Sequence, residues 1–151
     1  MKRLSIKKCK KLATQLCGES PNFKKGDFWF YFPDEELIQI SNDKTLKEDE
    51  KAIILQYFRD FTNTRFSLFT YSLLHELGHY NSCNIEDSTG KIQDNLDYYT
   101  IVTKALTGGL ISFKDAITLY YNEDSELDAN DFVEIMTDEF YDLIYNFDNN
   151  L

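Results

Sequence analysis

The chain has 151 residues, 42% hydrophobic and 28% charged, with 12 Phe and 10 Tyr, a composition that excludes generic disorder. A chain of this size buries about 68–70% of the surface its unfolded state exposes, so one domain spanning residues 1–151 is expected, with a core that needs no disulfides. The net charge of −10 opposes nonspecific binding to a nucleic-acid backbone. No uninterrupted run of about 18 apolar residues is present to cross a membrane, and the basic start is not followed by the apolar run of an export signal. Cys9, Cys17 and Cys83 include no Cys-x-x-Cys pair, so neither a disulfide framework nor a thiolate zinc knuckle is suggested, and a reduced, cytoplasmic compartment is expected.

In chain order, Ile6, Cys9, Leu12, Ala13, Leu16 and Cys17 recur at helical spacing between lysines, which predicts an amphipathic first helix stopped by Gly18. Residues 21–27 read as a loop. The aromatic run Phe28 to Phe32 and the segment Leu37 to Ile40 read as two strands of a short antiparallel hairpin turned at Pro33. Thr45-Leu46-Lys47-Glu48 has the form of a capping box, ahead of a helix to about Phe61 with Ile53, Ile54, Tyr57 and Phe58 inward. Phe66 to Tyr80 is apolar around much of its circumference and should lie deep in the core. Residues 81–91 read as a polar loop and 92–106 as a helix stopped at Gly108-Gly109. Ser112 begins a further helix to about Tyr121. Ser125 heads one long last helix whose inward face is Asp128, Phe132, Ile135, Met136, Phe140, Leu143 and Phe147. The expected fold is therefore α+β, mainly α, with a small antiparallel sheet.

The third of these helices carries His75-Glu76-Leu77-Gly78-His79, and these are the only two histidines in the chain. Imidazoles at i and i+4 project from one helix face and can grip a single Zn²⁺. Glu76 beside them is placed to take a proton from a zinc-activated water. Gly78 weakens the helix by up to about 1 kcal/mol relative to Ala, so close approach of another backbone is the expected reason for it.

A catalytic zinc normally has three protein ligands. With both histidines used, the third must be a carboxylate or Cys83. Asp128 is the first choice, because it shares the expected apolar face of the last helix with Phe132, and a buried carboxylate calls for a cation. Glu126 lies about 200° away on that helix and is the second choice. The competing role for Asp128 is to cap its own helix at the Ser125 N–H. Cys83 reads as a small buried thiol. An oxyanion-stabilising donor would have to come from Tyr98, Tyr99, Tyr120, Tyr121, Arg59 or Arg65, and spacing does not choose among them.

The motif, followed by Glu126-Leu127-Asp128-Ala129-Asn130-Asp131-Phe132, resembles the zincin metallopeptidases and, within them, the ImmA/IrrE-like group, whose later helix carries Glu-x-Glu-Ala-Asn-x-Phe. The resemblance covers these two segments. It implies a zincin-like helical domain, His75 and His79 as zinc ligands, Glu76 as general base, and the acid before Ala-Asn, here Asp128, as third ligand. Asp128 is one methylene shorter than the Glu of that pattern. By analogy it also implies an intracellular peptidase acting on a specific protein, such as a repressor, in a bacterial host or encoded by a phage or mobile element.

Charge is unevenly spread. Residues 1–25 hold eight Lys/Arg against one acid, and residues 115–151 hold eleven Asp/Glu and no Lys or Arg. The alternative reading is a non-catalytic acidic interaction protein on the same scaffold, a DNA mimic or anti-defence protein that engages a basic partner.

Overall fold

The computed structural model describes residues 5–85 and 99–151. Helix α1 (Ile6–Cys17) starts where the Ser5 hydroxyl accepts the Lys8 N–H and ends at Gly18, whose φ of 82° is left-handed. Then come strands β1 (Asn22–Lys25), β2 (Phe30–Phe32) and β3 (Leu37–Ile40). Helices α2 (Glu48–Thr62) and α3 (Leu68–Ile85) follow. Residues 99–107 are helical and form α4; α5 (Phe113–Tyr121), α6 (Asp124–Glu139) and α7 (Tyr141–Asn149) complete the chain. This is an α+β arrangement dominated by helix. Among the described residues no helix is long and apolar enough to cross a membrane.

The expected hairpin is present as β2 and β3, antiparallel with Tyr31 opposite Ile38, but the sheet is mixed rather than antiparallel. Residues 22–25, expected as loop, form a strand parallel to β3 with Phe23 opposite Ile38, and the order is β1-β3-β2. One apolar residue among Asn22-Phe23-Lys24-Lys25 is a weak local signal. Its lysines suit an edge strand that must not pair with other chains. Helix α2 starts at Glu48, three residues beyond Thr45, because the Glu50 carboxylate takes the Lys47 N–H at 2.9 Å while Thr45 turns its hydroxyl to the Asp27 carbonyl at 3.4 Å.

Helix α3 is the central element. Leu73, Leu77 and Tyr80 face a cluster with α1 and the sheet, whereas Tyr71 and Leu74 face a second cluster with Phe58 of α2, Tyr121 of α5, Val133 of α6 and Ile144 of α7. Packing on two sides explains why its sequence is apolar nearly all round. Its first turn is tied to α7, where Asp148 Oδ1 accepts from the Ser67 N–H at 3.1 Å, the Ser67 hydroxyl at 2.6 Å and the Thr70 hydroxyl. The helix continues through residues 81–85, expected as loop; the rest of that loop, residues 92–98 of the expected next helix, and the Cys83 side chain lie outside the described residues.

The single long last helix is two helices, broken at Phe140 (φ −120°, ψ 35°). Its buried face also differs from expectation. Glu126, Ala129, Asn130, Val133 and Thr137 are inside, while Ile135 and Phe140 are exposed. The stripe is set by α3: Gly78 leaves room for the Ala129 backbone, with Ala129 O only 2.8 Å from where a Cβ on residue 78 would stand. The close approach expected at Gly78 is this one.

Candidate metal centre

Three side chains meet where α3 and α6 are closest. His75 Nε2 lies 2.5 Å and His79 Nε2 3.2 Å from Glu126 Oε2, and the two Nε2 atoms are 3.2 Å apart. They form a group of His and carboxylate donors able to hold a metal ion. Ligand atoms of a tetrahedral zinc, each about 2.0–2.2 Å from the ion, stand about 3.3–3.5 Å from one another. Two of the three edges are close to that spacing. The third is a hydrogen bond, and it needs to open by only about 1 Å to match.

The surroundings select the histidine tautomer. His75 Nδ1 donates to Asn130 Oδ1 at 2.7 Å, which leaves Nε2 as the ring nitrogen that faces the triad, the arrangement by which a neighbour orients a metal-binding imidazole. Tyr120 donates its hydroxyl to Glu126 Oε1 at 2.5 Å. That leaves Oε2 facing both histidines. Glu126 is 1% exposed. Burial raises its carboxyl pKa, but the charges of His79 and His75 and their hydrogen bonds outweigh this and hold it well below the usual range. Burial pushes His79 down, and Glu126 beside it overcomes that and lifts the imidazole to about 9. A buried anion and a proton on the facing ring are what this donor set does with its charge when protons alone balance it, and a divalent cation balances it equally well.

Glu76 is buried on the next position of α3 and lines a cleft together with His75. Its carboxyl pKa is raised by burial, with His79 and His75 pulling it down and Glu126 pushing it up. A carboxylate raised in this way is a stronger proton acceptor than one exposed to water.

Asp128, the first choice for third ligand, is exposed and is replaced in that position by Glu126, the second choice. The reason is the phase of α6. The Glu123 carboxylate caps the helix by accepting the Ser125 N–H at 3.0 Å and the Glu126 N–H at 3.3 Å, which also takes the capping role once open to Asp128. Position 126 then faces α3, and position 128, two residues on, turns about 200° to the far side. The methylene deficit of Asp128 consequently has no bearing on the triad.

Of the candidate oxyanion donors, Tyr120 and Tyr121 are at the site. The Tyr121 ring packs 5.4 Å from the His75 ring. Tyr99 lines the outer cleft, Arg59 donates to the Phe66 carbonyl at 3.3 Å, Arg65 is exposed, and Tyr98 lies outside the described residues. Asn130 was not singled out from sequence. Its signal is the spacing Glu126, Ala129, Asn130, Val133, in which two polar residues alternate with small ones at helical period, a pattern of a polar face pressed on another backbone.

Comparison of the chain with protein-family models, with curated proteins and with solved structures returned no significant match.

Proposed function

We propose that this protein is a zinc-dependent peptidase of the zincin class, similar to the ImmA/IrrE-like group, acting on a specific protein substrate. The observation that carries the reading is the convergence of His75 Nε2, His79 Nε2 and Glu126 Oε2 on one point beside buried Glu76. His75, His79 and Glu126 would hold the ion. A bound zinc supplies Lewis acidity, polarising a carbonyl oxygen and making water acidic near pH 7. Glu76 takes the proton of the attacking water and passes it to the departing amine, and its dry wall keeps its basicity high enough for both transfers. Asn130 and Tyr120 keep the histidine and carboxylate donors aimed while this happens. Tyr121 packs its ring against His75, and both Tyr120 and Tyr121 line the cleft.

The test is metal content and peptide hydrolysis of the purified protein. About one equivalent of zinc is expected, lost in His75→Ala. Glu76→Gln should keep the zinc and lose hydrolysis; a variant that cleaves as fast as the parent refutes the general-base role. The acidic reading draws on the exposed faces of α6 and α7, where Asp131, Glu134, Asp138 and Asp142 lie among exposed Ile135, Tyr141 and Tyr145. It requires a salt-sensitive complex with a basic protein that Glu76→Gln leaves intact.

A further inference from the structure

The two ends of the chain carry opposite charge, and the fold brings part of each to the surface around α7. On one side of α7 an open groove of about 480 Å³ runs against α1, with Leu12, Leu143 and Phe147 along its floor and Lys8 and Lys11 on its rim. Lys8 also donates to the Asn150 carbonyl, which ties the rim to the end of α7, and Lys7 and Lys10 are exposed on the same helix as Lys8 and Lys11. On the other side stands a ridge. Tyr141 and Tyr145, one turn apart, are 45% and 50% exposed, and their rings stack with centroids 6.0 Å apart. Phe66, at 5.4 Å, braces the Tyr141 ring from beneath. Exposed Asp138, Glu139 and Asp142 lie within three residues of Tyr141. Positions 143 and 145 are about 200° apart on a helix, so groove and ridge occupy opposite sides of α7. Among the described residues, none of the α1 lysines and none of Asp138, Glu139 and Asp142 belongs to an ion pair.

We propose that copies of this chain associate head to tail, the Tyr141 and Tyr145 ridge of one copy seated in the α1–α7 groove of the next. Charge and polarity agree across that contact. An apolar floor with a lysine rim receives two phenol rings flanked by carboxylates, so Lys8 and Lys11 meet Asp138, Glu139 and Asp142 of the neighbouring copy. Aromatic anchors in a pocket, surrounded by a charged rim, are the usual make-up of a protein interface; without a partner the same rings are apolar surface left in water. The net charge of −10 opposes the approach of two copies, and the local lysine rim overcomes that repulsion and fixes their orientation. A ridge and a groove on opposite sides of one helix cannot both be satisfied across a single two-fold axis. The pairing is therefore heterologous, and a row of copies keeps a free groove at one end and a free ridge at the other. An interface of this kind is small, so the association is weaker than about 1 μM. Neither the metal centre nor hydrolysis enters into it.

Sedimentation equilibrium of the full chain tests this, with the melting temperature of every variant measured alongside. Wild type should gain mass reversibly with concentration, pass beyond the dimer, and lose that association between about 50 and 300 mM salt as the charges are screened. Tyr145→Asp, which spoils the ridge, and the double variant Lys8→Glu with Lys11→Glu, which spoils the groove, should each be monomeric. Because each keeps the face that the other lacks, mixing them should give a one-to-one complex that grows no further. Reversing Lys8 also removes its bond to Asn150, so Lys11→Glu alone takes the place of the double variant if that variant melts lower than wild type. A wild-type chain that stays monomeric up to about 1 mM overturns the proposal. So does association that strengthens with salt or survives both variants, and so do blocked variants that fail to pair when mixed. Binding of a foreign acidic helical peptide in the groove of a chain that itself remains monomeric also overturns it, since the occupant is then another protein.

Discussion

Gly78→Ala is the substitution whose outcome separates local helix preference from the packing that builds the site. A methyl carbon at position 78 would stand 2.8 Å from Ala129 O, 2.9 Å from Ala129 Cα and 3.1 Å from Phe132 Cβ. Carbon atoms settle about 3.5–4.0 Å apart, so α6 must retreat by roughly 1 Å. The obstacles are backbone and a first side-chain carbon, which cannot swing aside, and overpacking of this kind costs about 1–3 kcal/mol, here near the upper end. Alanine returns up to about 1 kcal/mol in helix propensity. The net loss is about 1–2 kcal/mol, a fall in melting temperature of about 2–8 °C in a domain of this length. The same retreat carries Glu126, three residues before Ala129, away from His75 and His79, so zinc affinity falls together with stability. Urea melts with and without chelator, and zinc competition against a chromophoric chelator, measure both. A variant that melts higher than wild type and binds zinc equally well would show that propensity outweighs the contact, and the account of Gly78 given above would be wrong.

The third ligand is tested by a pair. Glu126→Gln should abolish stoichiometric zinc binding, whereas Asp128→Asn should leave it unchanged, by metal analysis after gel filtration. Asn130→Ala removes the acceptor that orients His75 and should weaken zinc about 10- to 100-fold in chelator competition; an unchanged affinity would mean that packing alone orients the ring. The pH dependence follows from His79 and Glu126. In metal-free protein His79 is raised from 6.5 to about 9, so its stabilising contribution is complete below about pH 6.5 and lost as pH rises through about 9. Glu126 is depressed below 4.5, so its contribution is present above that value and lost on acidification. Zinc must displace the His79 proton, so its affinity grows as pH rises toward 9. The melting-temperature gap between zinc-loaded and metal-free protein should therefore widen from pH 6 to 9, and a gap that narrows over this range would contradict the ion-pair geometry.

Much of the helical layout was legible because its signals are local. The Ser112 cap, the Gly18 and Gly109 stops, and the i, i+4 histidines are all decided by residues within one turn of each other, and each is where the spacing put it. The α2 start is an exception. There two local caps competed, and Glu50 reaching back to Lys47 displaced Thr45.

What the chain alone determined is thus the inventory: six helical segments, the last of them read as unbroken, a β2–β3 hairpin, and a helix presenting His75, Glu76 and His79. Three things were decided only by tertiary structure. Strand β1 exists because β3 offers it a parallel edge, not because Asn22-Phe23-Lys24-Lys25 alternates. The last helix breaks at Phe140, which lets α7 turn back so that Asp148 caps α3. And α6 presents Glu126 rather than Asp128. A hydrophobic scan weights Ile135 and Phe140, the large residues that face solvent here, whereas the interface is chosen by the small Ala129 fitting against Gly78. Helical period follows from the chain itself; helical phase is a property of the contact, because only the partner's surface says which stripe can come close.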